Sequence, residues 1–433
     1  ENRIISFFYK LAIMKYLSYI FLFLTQYCVA QNILFNKSIE LNPDIQHETG
    51  KTVLLENDGD IIVIGKTRNR YVEHTDSLLV IKMNIYGDYQ WRKVYDVNPV
   101  GTEFVKESVL LSDGSFVIGG TVQYLPSLNQ NAFLLKLDSL GNEVWYQEYG
   151  DSYYQSIYDL KSTNDGGFIF GRSTDDPNIT VGWNDAWIVK TDSLGNVEWD
   201  ITLGDELWNE VTGIYEEEDS YKIFISTADE NTLLEYIYEI DKNGNLLSET
   251  AYLEEDRNGT YGILSTTKGG YLILGIKPVT PYSLTNFDGY IYHIDSSGNH
   301  TWSLTVDEGI STQEWFYRGV ELPDGSYMIA GSSHYNQLGS DTFRGWLVKV
   351  SKEGELLWSK IFEHDEDNTW EYFEDMALSP DGTVVIVGST GQFPEEGQLG
   401  TVRNNMWVLK VDYDGNDWLP LTVEASIDTA FIC

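Results

Sequence analysis

One short string constrains this chain more than anything else in it. Asp138-Ser139-Leu140-Gly141-Asn142-Glu143-Val144-Trp145 returns as Asp192-Ser193-Leu194-Gly195-Asn196-Val197-Glu198-Trp199, and again as Asp295-Ser296-Ser297-Gly298-Asn299-His300-Thr301-Trp302. Looser copies surround Gly87/Trp91, Gly244, Gly354/Trp358 and Gly415/Trp418. The glycines stand 54, 54, 49, 54, 56 and 61 residues apart. A second marker keeps step with the first: Asp58-Gly59, Asp113-Gly114, Asp165-Gly166, Lys268-Gly269, Asp324-Gly325 and Asp381-Gly382, with Asp219-Ser220 in the remaining slot. The chain is seven copies of one unit, and a repeat of this kind outranks any division by length.

Each unit reads as four strands. A strand such as 107–112 runs into the Asp-Gly turn, and the next, such as Ser115-Phe116-Val117-Ile118-Gly119, ends in glycine. After a loop comes a third strand, such as Asp185-Ala186-Trp187-Ile188-Val189-Lys190, which turns through Asp-x-x-Gly-Asn into the strand that carries the tryptophan. Short β-branched and aromatic runs bounded by Gly, Asn and Asp are strand and hairpin signals. A lone four-stranded sheet has two apolar faces and cannot hide both, whereas blades arranged in a ring cover one another. Phe168-Ile169-Phe170 suits a strand covered on both sides. The expected fold is therefore all-β, a seven-bladed β-propeller over residues 31–420. The segment 32–40 resembles a fourth strand and is expected to close the ring, removing open sheet edges. The fourth unit is degenerate, with Ile225-Ser226 where others carry glycine and Ser248 where others carry tryptophan.

Charge and cysteine content narrow the function. With 28 Lys+Arg against 67 Asp+Glu the formal charge is −39, which argues against nucleic acid and against anionic lipid. Cys28 and Cys433 cannot build a disulfide framework. Residues 14–30 read as a signal peptide: Lys15, an apolar run to Leu24, then Cys28-Val29-Ala30 as a cleavage site. A lipoprotein signal on Cys28 and a membrane anchor are the competing readings. Residues 1–13 read as upstream read-through and 421–433 as a C-terminal tail, one that a truncation would explain. The chain is expected to be secreted or displayed at the cell surface, with no membrane span after cleavage, and is read as a monomer.

The stretches Asn164-Asp165-Gly166-Gly167-Phe168-Ile169-Phe170-Gly171 and Asp185-Ala186-Trp187-Ile188-Val189-Lys190-Thr191-Asp192-Ser193-Leu194-Gly195-Asn196-Val197-Glu198-Trp199 resemble the secreted β-propeller repeat proteins of Bacteroidetes-type bacteria, with WD40-like or quinoprotein-like repeats. The resemblance covers nearly all of residues 32–420. It implies fold and export and is almost silent on activity. Many such proteins carry a C-terminal sorting domain, which this sequence does not show.

Strand parity assigns a working face. The tight Asp-Gly and Asp-x-x-Gly-Asn turns share one end of each unit. The longer loops, 124–130, 173–184, 277–287 and 332–343, emerge at the other end with the links between units, and loops on a rigid scaffold are where function gathers. That face collects aromatics beside acids: Tyr154, Trp183, Trp208, Trp315 and Trp370 with Asp205, Glu206 and Glu314. Flat rings edged by carboxylates suit a sugar, although a bulky aromatic repeated once per unit also serves as packing between blades. Trp91, Trp145, Trp199, Trp302 and Trp358 keep one offset from the turn glycine and read as framework. Lys82, Lys136, Lys190, Lys349 and Lys410 share a register and are expected to pair with neighbouring carboxylates.

No catalytic residue stands out. The six histidines form no paired zinc motif, and neither a Gly-x-Ser-x-Gly elbow nor a phosphate-binding glycine loop occurs. The oxygen-rich Asp412-Tyr413-Asp414-Gly415-Asn416-Asp417 has its glycine two positions early for an EF-hand. No cofactor is expected, and weak calcium binding is compatible with so acidic a chain. The reading is a binding module for a glycan or an extracellular protein. The alternatives are a polysaccharide-cleaving propeller, with two loop-face carboxylates as acid and base, and a purely structural surface component.

Overall fold

The computed structural model describes residues 34–417 apart from 40–44, 70–75, 98–100, 125–128, 151–153, 176–183, 229–232, 254–258, 281–285, 310, 338–339, 364–368 and 393–402. The expected signal peptide, the residues before it, the C-terminal tail and Trp183 lie outside the described residues. Among those described there is no helix, and hence none long and apolar enough to cross a membrane.

Six antiparallel meanders of four strands follow one another, at 45–95, 101–149, 155–203, 208–253, 259–306 and 311–362. A seventh, 369–411, has three strands of its own. Its fourth is Phe35–Ile39, which pairs antiparallel with Arg403–Val411, Phe35 opposite Lys410 and Ile39 opposite Met406. Some meanders join into one larger sheet, but only through single parallel bridges: Phe287 with Gln313, Phe343 with Trp370, Asn404 with His47. Gln130–Tyr154 and Asn184–Trp208 are bridges of the same kind. Each links the third strand of one meander to the opening strand of the next, so the meander remains the unit of architecture.

The core is divided into slices, each between consecutive meanders. Along Ile61–Asn69, Ile62 and Ile64 pack with Phe116 and Ile118 of the second meander. Ile61 and Val63, on the opposite face, pack with Val385 and Val387 of the seventh, together with Phe35 and Ile39. Phe168 and Phe170 likewise turn toward the second meander and Ile169 toward the fourth. A strand covered on both faces must be apolar at every position, which explains these uninterrupted runs. The opening strand of the first meander adjoins those of the second and of the seventh.

The framework tryptophans dock onto the turn of the following meander. A Cβ on Gly141 would stand 2.7 Å from Trp91, one on Gly195 3.2 Å from Trp145, and one on Gly354 2.5 Å from Trp302. These glycines have φ of 72°, 80° and 88°, a conformation and a closeness that exclude other residues. Gly87 is met in the same way by Phe35. Ser248 cannot do this, and Gly298 has only Ile237 near it, at 3.9 Å. Among the described residues four of the five lysines in the register, all but Lys136, pair as expected: Lys82 with Glu56, Lys190 with Asp165 and Glu198, Lys349 with Asp324, Lys410 with Asp381.

Two expectations are corrected. The glycine of the second strand does not end it, since Phe116–Tyr124 and Tyr327–Gln337 run on past Gly119 and Gly331. The loop expected at 332–343 is mostly strand: Tyr327–Gln337 pairs with Ser340–Val350 out to Gln337 opposite Ser340.

Candidate functional site

In every opening strand the pairing slips by one residue at the same place. The bulged residues are Lys51, Lys106, Tyr158, Thr212, Tyr261, Tyr317 and Glu374. A bulge turns an extra side chain out of the pleat and often re-aims it at a functional site. All seven line one of two cavities. The larger, about 190 Å³, is walled by Tyr158, Thr212, Glu107, Asp159, Lys161, Arg318 and Asp375 among others. The smaller, about 100 Å³, is walled by Lys51, Lys106, Tyr158, Tyr261, Tyr317, Arg318 and Glu374 with Val105.

Most of these charges are already matched. Arg318 reaches Glu107 at 3.0 Å and Asp375 at 3.6 Å, and Lys161 reaches Asp159 at 2.6 Å. Lys51 pairs with Glu374. Asp159 also accepts the backbone N–H of Ile214, at 2.7 Å, and Asp375 that of Val53, at 2.9 Å. The two aspartates thereby tie one opening strand to the next. Burial raises the Glu107 carboxyl, while Arg318 pulls it down. These groups are engaged in ion pairs and strand-to-strand bonds.

Opposite the bulge stands the glycine noted in the sequence. A side chain on Gly331 would meet the Trp315 carbonyl at 1.8 Å, and one on Gly65 the Thr49 carbonyl at 1.8 Å. The third and fourth meanders break the rule. Register places Arg172, not Gly171, opposite Ile157, and Ile225 opposite Val211.

A pocket of about 440 Å³ opens between these two meanders, lined by Tyr154, Arg172, Asp175, Asn184, Trp208 and Glu210. Trp208 is 49% exposed, and its indole N–H donates to Glu210 at 2.8 Å. Tyr154 is held by Asp175, whose carboxylate accepts the Tyr154 backbone N–H at 2.6 Å. The Arg172 guanidinium lies 5.5 Å from the centre of the Tyr158 ring, joining this pocket to the cavities within.

The residues singled out in the sequence therefore divide. Tyr154 and Trp208 meet in one pocket. Asp205 shapes the turn before Trp208, accepting from the Leu207 N–H at 2.9 Å and from Asn209 at 3.2 Å, with Glu206 exposed beside it. Trp315 and Trp370 belong to a different cluster, both packed on Phe343 with ring centres 5.8 and 5.6 Å away. Glu314 is not at a surface at all: it is 1% exposed and accepts the Glu308 N–H at 3.0 Å. The aromatics that plug the interfaces are Phe316 against Trp346 and Phe373 against Trp407, not the exposed Trp208 and Trp370.

Two groups of carboxylates bring oxygens within 4.8 Å of one another and could hold a cation: Glu56, Asp58 and Asp60, and Asp288, Asp307 and Glu314. The Asp412 carboxylate instead serves its own turn, accepting the N–H groups of Asp414 and Asn416 at 2.9 Å. Sequence reasoning missed Arg172, Lys106 and Arg318. The signal for Arg172 was present, an arginine in a slot where five units carry glycine.

No protein-family model matches the chain, and no curated protein does. Among solved structures it is similar to the β-propeller domain of the Trilobed protease from Pyrococcus furiosus, at 10% identity and a TM-score of 0.47, covering 90% of this chain and 98% of that one. A Dyadobacter fermentans protein of unknown function is similar at 13% identity and a TM-score of 0.44, covering 87% and 98%. One of unknown function from Bacteroides caccae is similar at 15% identity and a TM-score of 0.41, covering 65% and 87%.

Proposed function

We propose that this chain is an exported seven-bladed β-propeller, closed by Phe35–Ile39, that binds carbohydrate between its third and fourth blades. The observation that carries the reading is the 440 Å³ pocket with Trp208 half exposed at its rim. Its volume falls in the range of small-ligand sites, roughly 300–1,000 Å³. Trp208 and Tyr154 offer flat faces to a sugar ring, and Asn184, Asp175, Glu210 and Arg172 offer polar groups to its hydroxyls. Export rests on the pattern of residues 14–30. Ring closure is supported by Phe35 packing on Gly87 and by the core slice shared between the first and seventh meanders. The binding reading gains over an enzyme because the inner carboxylates are committed to Arg318, Lys161 and backbone N–H groups.

A glycan-array screen of the chain from Gln31 onward, with and without calcium, tests the reading. Saturable binding to one glycan class, lost in a folded Trp208→Ala variant, is the expected result. Silence across a broad array overturns it and turns attention to a protein partner.

A further inference from the structure

Among the described residues two cations, Arg172 in the pocket and Lys106 in the small cavity that adjoins it through Tyr158, are left without adequate partners. Arg172 has its Nε buried with no hydrogen-bond partner among the described residues, and its terminal nitrogen reaches Glu210 only at 3.4 Å. A charge-assisted bond normally spans about 2.7–2.9 Å. Lys106, the bulged residue of its strand, makes no hydrogen bond or ion pair among the described residues. The acids near it are spoken for, Glu374 by Lys51 and Glu107 by Arg318. Arg172 is the strongest like-charge neighbour that Lys106 feels, and with burial it lowers the amine to about 8. Arg172 also stacks on Tyr158, which lines the same small cavity as Lys106.

Two underpaired like charges on either side of Tyr158, in a chain of net charge −39, are stabilised by an anion placed between them. We infer that the sugar bound at this pocket is acidic, with its carboxylate seated between Arg172 and Lys106 and its ring against Trp208. This rests on the carbohydrate reading above. The chain's overall charge repels a polyanion at long range, so the inferred ligand carries its acid on a terminal sugar of an otherwise neutral glycan.

Calorimetric titration with matched pairs of disaccharides tests this: glucuronate- against glucose-terminated, and galacturonate- against galactose-terminated. At pH 7 the acidic member of one pair is expected to bind about tenfold tighter or more. Lys106→Met should bring that ratio close to one while sparing the neutral affinity, Arg172→Gly should bring it close to one whatever it does to the neutral member, and Trp208→Ala should weaken both members. Arg172→Gly restores the residue that five other meanders carry, so it folds. Equal binding of acidic and neutral members, or a preference that survives both substitutions, overturns the inference and leaves the carbohydrate reading standing. Binding of neither member of any pair overturns both.

Discussion

Phe35 lies against Gly87 as Trp91 lies against Gly141: in each case an added Cβ would stand within 3.0 Å of the ring. Lys37 donates to the Gly87 carbonyl at 2.7 Å, as Lys93 donates to that of Leu140 at 2.8 Å. An N-terminal residue thus does for the first meander what a tryptophan does for each of five others. Phe35→Ala should cost about 3–5 kcal/mol, the usual penalty for emptying a buried phenylalanine site. Urea unfolding of wild type and variant measures it, and a loss below about 1 kcal/mol would mean that the strand is dispensable.

Trp208 and Phe316 make a matched pair of probes. Trp208 is half exposed at a pocket, whereas Phe316 is fully buried against Trp346. Trp208→Ala should change stability by less than about 1 kcal/mol and lose most of the glycan affinity. Phe316→Ala should cost about 3–5 kcal/mol. Thermal unfolding set beside binding separates the two roles.

The glycine opposite the bulge predicts an asymmetry. Gly331→Ala places a Cβ 1.8 Å from the Trp315 carbonyl, so the strand pair must part. The expected loss is about 2 kcal/mol or more. Arg172→Gly, in the equivalent slot, should leave the melting temperature within a few degrees of wild type.

Glu314 supplies a pH test. Burial first, and then Asp307, Asp288 and Glu308, push its carboxyl from 4.5 up to about 8. Between those values the native chain keeps a proton that the unfolded chain has released, so this group's contribution to stability declines as pH rises from 4.5 to 8. Glu314→Gln removes that decline, and glutamine already serves at the corresponding position, Gln155. The variant should match wild type near pH 4.5 and exceed it by on the order of a few kcal/mol above pH 8, at about 1.4 kcal/mol for each pH unit by which the carboxyl is raised. An equal pH dependence in the two proteins would show that the carboxyl is not buried as described.

Lys106 supplies another. It is faced by Arg172, Lys51, Lys66 and Glu374 and by the tyrosines 158, 261 and 317. With the amine lowered to about 8, anion binding should weaken as pH rises through that value. In Lys106→Met the profile should be flat over the same range.

Much of the architecture was legible because its signals are local. A turn that needs a positive φ declares itself as Asp-x-x-Gly-Asn, and the tryptophan that docks on it keeps a fixed offset. Trp208 and Tyr154 could be placed on the loop face by strand parity alone. Register was not legible. A bulge shifts the pairing by one residue and nothing in the composition marks which side chain it turns inward, so Lys106 drew no attention, and Arg172 showed only as a missing glycine. Glu314, one residue before Trp315, looked like a loop acid because the sequence does not say where the opening strand begins. The hairpin at Tyr327–Gln337 and Ser340–Val350 was mistaken for a loop because Ser, His, Tyr and Asn carry no strong strand signal.

The pairing of Phe35–Ile39 also sets an order of events. Asn36 receives the Trp407 indole N–H across 371 residues. The strand synthesised among the first must therefore wait, unpaired, until nearly all the others exist, and contacts of such sequence separation form slowly. Each meander can settle on its predecessor as it emerges, but the last one keeps an open edge until that early segment returns to it. During translation this pair of edges is where a growing chain is most exposed to a neighbouring copy of itself, and where a chaperone would find the most to hold.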